Sequence, residues 1–220
     1  MQAFDCEEAS APPPPNLPRR GGRGTGGVYH SGMDSTAFKS FFDQALPYSA
    51  YIATGTTEQQ RRWAQVYEAT RITDAQRALF SGFARQMPVL VVSGIWCGDC
   101  VQQVPLLQRL AELSTLIDLR VIDRDAHKAL SSAFRINGGD RVPVVLLLSE
   151  DFELCAAAGD RSLARYRAIA VRQLGAACPV GITAPDEGEL AATLADWAGE
   201  MERVQLMLRV SPRLRKIHND

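Results

Sequence analysis

The chain has 220 residues, and its charges nearly cancel, since 24 lysines and arginines against 25 aspartates and glutamates leave a net charge of −1. A chain of this length can bury a core of its own, because folding at this size removes about 70% of the unfolded surface from water. The balanced charge argues against binding to nucleic acid or an anionic membrane through a basic surface. The longest apolar run, residues 142–148, is far shorter than the roughly 20 residues of a membrane-spanning helix, so no membrane span is expected.

The N-terminus has neither the basic start nor the apolar stretch of a secretory signal peptide, so a cytoplasmic protein is expected. Five cysteines are an odd, low number for this length, which favours thiols with separate roles over a secreted disulfide framework. Among them, Cys97 and Cys100 alone are closely spaced. We expect Cys155 to pack as a small apolar side chain, Cys178 to be inert and Cys6 to be exposed.

Residues 1–32 are rich in proline and glycine and are predicted to form a disordered tail, because they contain almost no apolar side chains that could form a core. Gly22, Gly24 and Gly27 match the G-x-G-x-x-G pattern of phosphate-binding loops. A phosphate-binding loop follows a strand, and no strand pattern precedes these glycines. The sequence therefore favours a flexible linker over a phosphate site.

Residues 33–87 are predicted to form a helical extension of three amphipathic helices. The first ends before a proline, the second begins near Thr56, and the third opens with a capping box from Thr73 to Gln76. The expected core positions are Phe38, Phe41, Phe42 and Ala45 in the first, Trp63, Val66, Tyr67 and Thr70 in the second, and Leu79, Phe83 and Met87 in the third.

Residues 88–176 are predicted to form an α/β core, because continuous apolar runs typical of buried strands alternate with helical periodicity. Residues 149–151 are predicted to form the turn of a hairpin between the last two strands. The predicted order is a strand at 89–92, a helix at 98–113, a strand at 116–122, a helix at 125–134, strands at 144–148 and 152–157, and a helix at 161–174.

Residues 177–220 are predicted to form a C-terminal helical extension, with a helix from a cap near Thr183 or Asp186 to about Arg209. Its apolar seam is short for an independent coiled coil, which favours packing on the body of the protein over homodimerisation. The basic stretch 213–216 is expected to be a solvated end. The seam comprises Leu190, Leu194, Trp197, Met201, Val204 and Leu208.

The strongest chemical signal is a pair of cysteines, Cys97 and Cys100, placed where a buried strand gives way to a helix. This spacing brings two sulfurs within disulfide reach in the first turn of a helix. The first sulfur lies at the helix N-terminus, where free N–H groups and the helix dipole stabilise a thiolate. We therefore expect Cys97 to attack a substrate disulfide and Cys100 to resolve the mixed disulfide.

Residues 86–175 resemble the thioredoxin family. Trp96 directly precedes the first cysteine, Pro105 falls where thioredoxins kink this helix, and the predicted order of elements is that of the family core. Trp96, Gly98 and Asp99 together with the two cysteines are also similar to the Trp-Cys-Gly-Asp-Cys motif of bacterial thioredoxin-like proteins with a helical extension. The resemblance implies a thioredoxin-like fold, a central mixed β-sheet flanked by helices, with extra N-terminal helices and one extra C-terminal helix.

The resemblance also implies a substrate groove. Val142 and Pro143 look like the family's cis-proline loop, which faces the cysteine pair and presents backbone to an extended substrate segment. Gly159, after the predicted hairpin, corresponds to the small residue that keeps the groove open. Trp96 would complete this substrate surface beside Cys97.

Two positions depart from the family pattern. Thioredoxins usually carry Gly-Pro between the cysteines, whereas this chain has Gly98-Asp99, and a nearby carboxylate is expected to raise the pKa of Cys97 and make the couple more reducing. Val91 replaces a buried aspartate that handles the proton of the resolving thiol. Asp99 is the expected substitute, and Glu112 and Asp123 are weaker candidates.

The sequence therefore predicts a cytoplasmic thiol-disulfide oxidoreductase of cell redox homeostasis that needs no cofactor beyond the redox-active Cys97–Cys100 pair. Its partners would be a protein or small-thiol disulfide and an unidentified dithiol reductant. The alternative is a redox-idle binding or scaffold module that holds a protein partner with its helical extensions. A zinc site and cysteine hydrolysis are disfavoured, because further ligands are scattered singly and His127 is the one histidine within the predicted core.

Overall fold

The computed structural model describes residues 32–174 and 188–220. The predicted tail, its glycine motif, Cys6, Cys178 and the proposed helix cap near Thr183 or Asp186 lie outside these residues. The described part is an α/β fold with the strands β1 (Leu46–Pro47), β2 (Met87–Ser93), β3 (Ile117–Asp123), β4 (Val144–Leu148) and β5 (Leu154–Gly159). Its helices are α1 (Ser35–Gln44), α2 (Tyr48–Ile52), α3 (Thr57–Ala69), α4 (Asp74–Ser81), α5 (Gly98–Ala111), α6 (Lys128–Ala133), α7 (Leu163–Leu174), α8 (Glu189–Val210) and α9 (Pro212–His218).

A mixed sheet of the order β1-β3-β2-β4-β5 forms the centre of the fold. β2 and β3 run parallel, and the other neighbouring strands pair antiparallel. Every residue of β2 and β4 is buried, as the continuous apolar runs predict for doubly covered strands. The mixed sheet with flanking helices and extra helices at both ends confirms the predicted fold class.

The helical region before β2 also contributes to the sheet. The sequence predicted helices alone here, but β1 pairs antiparallel with β3, joining Leu46 to Val121 and Pro47 to Arg120. The short helix α2, which was not predicted, follows directly and packs against β1 and β3. A two-residue strand has no periodicity of its own, so its long-range pairing cannot be inferred from local sequence.

The predicted helix starts before β2 are accurate, but one helix ends earlier than expected. Thr56 and Thr73 cap α3 and α4, each with a capping box. The interpretation of Met87 as a face of the third helix is wrong, because α4 ends at Ser81 and Met87 is the first residue of β2. Its amide donates to the carbonyl of Leu116, which begins the parallel pairing with β3.

The cysteine turn lies between β2 and α5, and other helices pack around α5. Pro105 lies inside α5, and α3 and α8 both pack against this helix. The predicted helix at 125–134 is shorter, with α6 confined to Lys128–Ala133. The predicted hairpin is present, but its second strand is β5 at Leu154–Gly159 rather than 152–157.

The C-terminal seam lies against the body of the described chain. α8 contacts α4, α5, α7 and β5, and the seam residues from Leu194 to Leu208 are buried, with Leu190 partly buried at its start. The interpretation of residues 213–216 as a solvated end is wrong in one respect, because they form part of α9. Leu214 is 1% exposed, and Arg213 forms an ion pair with Asp151 across the fold.

Candidate active site

Cys97 is the N-cap residue of α5 and is partly exposed at the end of β2. Its amide donates to the carbonyl of Gly94 over 2.9 Å, which fixes the turn out of β2. The backbone N–H groups of Asp99 and Cys100 face its sulfur. Unpaired N–H groups at a helix N-terminus favour an anion, so this position stabilises a thiolate.

The two thiols have opposite electrostatic environments. A hydrogen bond with the Cys100 side chain is the largest influence on Cys97, and together with the backbone N–H groups it lowers the pKa of Cys97 to about 6 although burial opposes this. Burial is the main cause of the raised pKa of Cys100, which is fully buried. At neutral pH Cys97 is therefore the thiolate and Cys100 the thiol. Both cysteines are free in this structure.

The influence of Asp99 on Cys97 has the predicted direction but does not dominate. The charge of Asp99 does raise the pKa of Cys97, but it is a smaller influence than the hydrogen bonds that lower it. Two arginines also pair with this carboxylate: Arg161 Nη2 donates to Oδ2 over 2.7 Å, and Arg165 Nε donates to Oδ1 over 3.1 Å. Neither arginine was predicted as a site residue, because Arg161 lies in the loop before α7 and Arg165 in its first turn, and only the fold brings them to the cysteine turn.

The predicted cis-proline loop faces the cysteine turn. The Val142–Pro143 peptide bond is cis, and the Cys97 sulfur lies 3.5 Å from the Val142 carbonyl oxygen, to which it donates when it is protonated. Gly159 lies against this loop, with φ at +141° and with Pro143 O only 2.2 Å from where a β-carbon would be. A larger residue at this position would displace the loop that contacts Cys97.

Trp96 forms the exposed rim of the site, with 48% of its surface accessible. The guanidinium of Arg124 stacks on its ring, with Cζ 4.6 Å from the ring centroid. Such a cation–π contact restrains an exposed ring. Gly98 is also exposed, and a β-carbon there would meet no atom within 4 Å, so the turn is open to solvent beside Cys97.

A hydrogen-bonded contact joins α5 to the loop before α7. Gln103 is fully buried, and its amide donates to Asp160 O over 2.8 Å and accepts from Ser162 N over 2.9 Å. Buried side-chain amides that bond to loop backbone hold the loop in one conformation. Gln103 therefore positions the segment that supplies Gly159 and Arg161 to the site.

The weaker proton-transfer candidates lie in other surroundings. Glu112 is the C-cap residue of α5, where it accepts from the Tyr67 hydroxyl over 2.8 Å. Asp123 ends β3 and caps the following turn through the amides of Asp125 and Ala126. Val91 is fully buried and carries no polar group. Carboxylates committed to capping and ion pairs are typical of structural positions.

Among the described residues, no other cysteine or histidine joins the site. Cys155 lies in β5, where burial raises its pKa to about 11. His127 is the N-cap residue of α6, and its ring packs edge-on against Phe41. Within residues 32–174 and 188–220 there is no group of three or more side chains with the arrangement of a metal site. Of the helices in these same ranges, none has both the length and the apolar character to cross a bilayer.

Solved structures with the same fold include a protein of unknown function from Pseudomonas aeruginosa and an HIV epitope scaffold. Their TM-scores are 0.58 and 0.55, and each alignment has 20% sequence identity and covers 76% of this chain and 95% of the other. No curated protein matches the sequence. The family model for thioredoxin matches residues 45–170. The match begins well before residue 86, where the resemblance seen in the sequence starts, so it includes β1. Because this match covers more than half of the sequence, the chain belongs to the thioredoxin family.

Proposed function

We propose that this protein is a thiol-disulfide oxidoreductase. The observation that carries the proposal is the pairing of a partly exposed Cys97, whose pKa is lowered to about 6, with a fully buried Cys100 whose pKa is raised. A thiolate that is reactive at neutral pH beside a protonated thiol is what two-step disulfide exchange requires.

In the proposed reaction, the Cys97 thiolate attacks one sulfur of a substrate disulfide and forms a mixed disulfide, and the other substrate sulfur leaves as a thiolate. Cys100 then attacks Cys97, the mixed disulfide breaks, and the second substrate sulfur leaves. The substrate gains two electrons and the proton of Cys100, its other thiolate takes up a proton from water according to its own pKa, and Cys97 and Cys100 become a disulfide. A dithiol reductant returns this disulfide to the thiols in the same two steps.

The surroundings of Cys97 support an extended substrate segment. Trp96 offers an exposed ring, and the Val142 carbonyl contacts the attacking sulfur. Because Gly159 has no side chain, it can pack directly against the Val142–Pro143 loop beside the cysteine turn. We assign this groove to a protein or small-thiol disulfide. We place the reaction in the cytoplasm, where a chain with few cysteines is ordinary.

The alternative function, a redox-idle binding module, predicts that the added helices cover Trp96 and Cys97. Among the described residues the opposite arrangement favours oxidoreductase activity, because Trp96 is 48% exposed and Cys97 is accessible. The helix α3 lies beneath the turn instead: Trp63 donates to the Ile95 carbonyl over 3.0 Å.

A redox titration tests the proposal. The full-length protein is equilibrated in defined dithiol/disulfide buffers, trapped with a mass-tagged alkylating reagent and mapped by peptide. We expect Cys97 and Cys100 to convert together as a two-electron couple in a reducing range near that of thioredoxin, about −270 mV. Cys155→Ser serves as the matched control and should leave the couple unchanged, because Cys155 lies away from the turn.

An unreactive pair in the folded protein, or a pair that retains a metal ion after purification, would contradict the proposed function. Substitution of either cysteine gives a second measurement. Cys100→Ser should accumulate a stable mixed disulfide at Cys97, whereas Cys97→Ser should form none, since the attacking thiol is then absent.

A further inference from the structure

Two buried hydroxyl groups lie beneath the cysteine turn. Tyr51 belongs to α2 and is 2% exposed, and Ser93 is the last residue of β2 and is fully buried. Neither hydroxyl oxygen has a hydrogen-bond partner of standard geometry in the described chain. A buried hydroxyl without a partner destabilises a protein, so the groups that these two face are informative.

Ser93 lies between Tyr51 and Cys100. Burial raises the pKa of the Cys100 thiol and of the Tyr51 phenol, and the neighbouring Ser93 hydroxyl, which is near enough to donate to either group once it is charged, opposes both increases. The negative charge of Cys100 and, to a smaller extent, that of Cys97 also raise the pKa of Tyr51. The phenol, the serine hydroxyl and the buried sulfur therefore form a row that ends at Cys100.

The elements around this row hold it in place. The Trp63 ring packs edge-on against Tyr51 with 5.8 Å between ring centroids. Ser93 is paired with Asp123 of β3, and its carbonyl accepts from Arg124 N over 2.8 Å. Neither hydroxyl can reach solvent without breaking this packing.

Several other ionisable groups act on the row. Cys97 acts on both Tyr51 and Cys100 from the turn before α5, and Asp123 acts on Tyr51 from β3. The carboxylate of Asp99 instead accepts from Arg161 and Arg165. The donors that face the sulfur of Cys100 are therefore the Ser93 hydroxyl and the backbone N–H of Gly94.

We propose that Ser93 donates a hydrogen bond to the sulfur of Cys100 during resolution and that Tyr51 positions Ser93 by donating to its oxygen. This inference rests on the proposed oxidoreductase function. The S–H bond of Cys100 breaks as its sulfur bonds to Cys97, the bond from Cys97 to the substrate breaks, and the proton ends on the departing substrate thiolate. The hydroxyls keep their own protons and stabilise the negative charge that develops on Cys100.

The test uses the reduced full-length chain with Cys6, Cys155 and Cys178 replaced by serine, and the chromogenic aromatic disulfide DTNB. Attack by Cys97 releases the first equivalent of coloured thiolate, and resolution by Cys100 releases the second. Ser93→Ala and Tyr51→Phe should change the first rate by less than about twofold and slow the second about tenfold, because hydrogen bonds to charged groups are the stronger ones. In both variants the pH profile of the second rate should also shift to higher pH.

Tyr48→Phe is the matched control. Tyr48 also lies in α2, with its ring 6.2 Å from that of Trp63, but its hydroxyl does not act on Cys100. We expect both of its phases to match those of the parent chain. Thermal unfolding of each variant checks that Tyr51→Phe and Ser93→Ala remain folded, which removal of unpaired hydroxyls favours.

An unchanged second phase in Ser93→Ala, or an equal slowing of both phases, overturns the inference. A slower second phase without a shift of its pH profile also overturns it, since a merely structural defect would act in this way. If the parent chain forms the mixed disulfide but never releases the second equivalent, the proposed function itself fails and this inference fails with it.

Discussion

The carboxylate of Asp99 has two opposing roles at the residue scale. Its negative charge raises the pKa of Cys97, yet it also pairs with Arg161 and Arg165, which would otherwise lie near the thiolate as unbalanced cations. The hydrogen bond that Arg161 donates to Asp99 raises the pKa of Arg161 further above its usual value, so this cation stays charged at every accessible pH. Asp99 therefore limits how acidic Cys97 becomes.

We expect Asp99→Asn to lower the pKa of Cys97 further. The substitution removes the like charge and leaves both arginines beside the turn, so the thiolate becomes more stable and the disulfide more oxidising. Ultraviolet thiolate absorbance against pH measures this directly. Asp43→Asn is the control, because Asp43 pairs with Lys39 on the exposed face of α1. An unchanged or higher pKa of Cys97 in Asp99→Asn would contradict the prediction.

At the scale of elements, α3 supports the loop that carries Cys97. Trp63 is fully buried, and its indole Nε1 donates to the Ile95 carbonyl over 3.0 Å. Trp197 of α8 is also buried, at 2% exposure, but its Nε1 has no hydrogen-bond partner in the described residues. The two tryptophans therefore differ in one hydrogen bond while sharing size and burial.

This pair gives a matched measurement of what α3 contributes. Both Trp63→Phe and Trp197→Phe lose the same side-chain volume, and Trp63→Phe should lose about 1 kcal/mol more of the free energy of unfolding because it also leaves the Ile95 carbonyl unpaired. Urea denaturation measures that difference. Trp63→Phe alone should also speed hydrogen exchange at the Cys97 amide. Equal losses, with unchanged exchange, would mean that α3 does not hold the loop.

How far the sequence predicts these elements depends on the range of the interactions that form them. The capping boxes at Thr56 and Thr73 and the apolar run of β4 are local patterns, and they appear where expected. The pairing of Leu46 with Val121 is long-range, so β1 was missed.

The same distinction applies to the site. The cysteine turn could be recognised from spacing at one strand–helix junction, as could the two opposing influences on the pKa of Cys97, but not which of them dominates. The net shift depends on the distances from its sulfur to Cys100 and to backbone N–H groups, which follow from how α5 begins. The arginines paired with Asp99 come from α7 and the loop before it, more than 60 residues away along the chain.

For the whole molecule, several carboxylates link distant segments and titrate below their usual range. Burial opposes ionisation of Asp160, but hydrogen bonds from Tyr166 and Arg141 lower its pKa overall. A hydrogen bond from Arg172 is the main cause of the lowered pKa of Glu189, which also pairs with Arg165. These contacts connect β5, α7 and α8 around the loop that faces the cysteine turn.

Asp160 should make folding stability depend on pH. Its pKa is lower in the folded protein than in the unfolded chain, so its contribution is present above about pH 4, the ordinary range of aspartate, and is lost as the pH falls through the folded value. Asp160→Asn should therefore reduce the free energy of unfolding at pH 7 by about 1–3 kcal/mol, since its side chain is buried and accepts charge-assisted hydrogen bonds. At acidic pH the variant and the parent chain should converge.

Urea denaturation across a pH series tests this, with Asp118→Asn as the control. Asp118 pairs with Arg120 at 3.1 Å, but its side chain is 57% exposed, and such surface pairs contribute about 0–1 kcal/mol. The free energy of unfolding of Asp118→Asn should therefore stay within about 1 kcal/mol of that of the parent chain across the pH series. A deficit in Asp160→Asn that stays constant from neutral to acidic pH would mean that packing of Asp160, rather than its charge, joins the loop after β5 to α7.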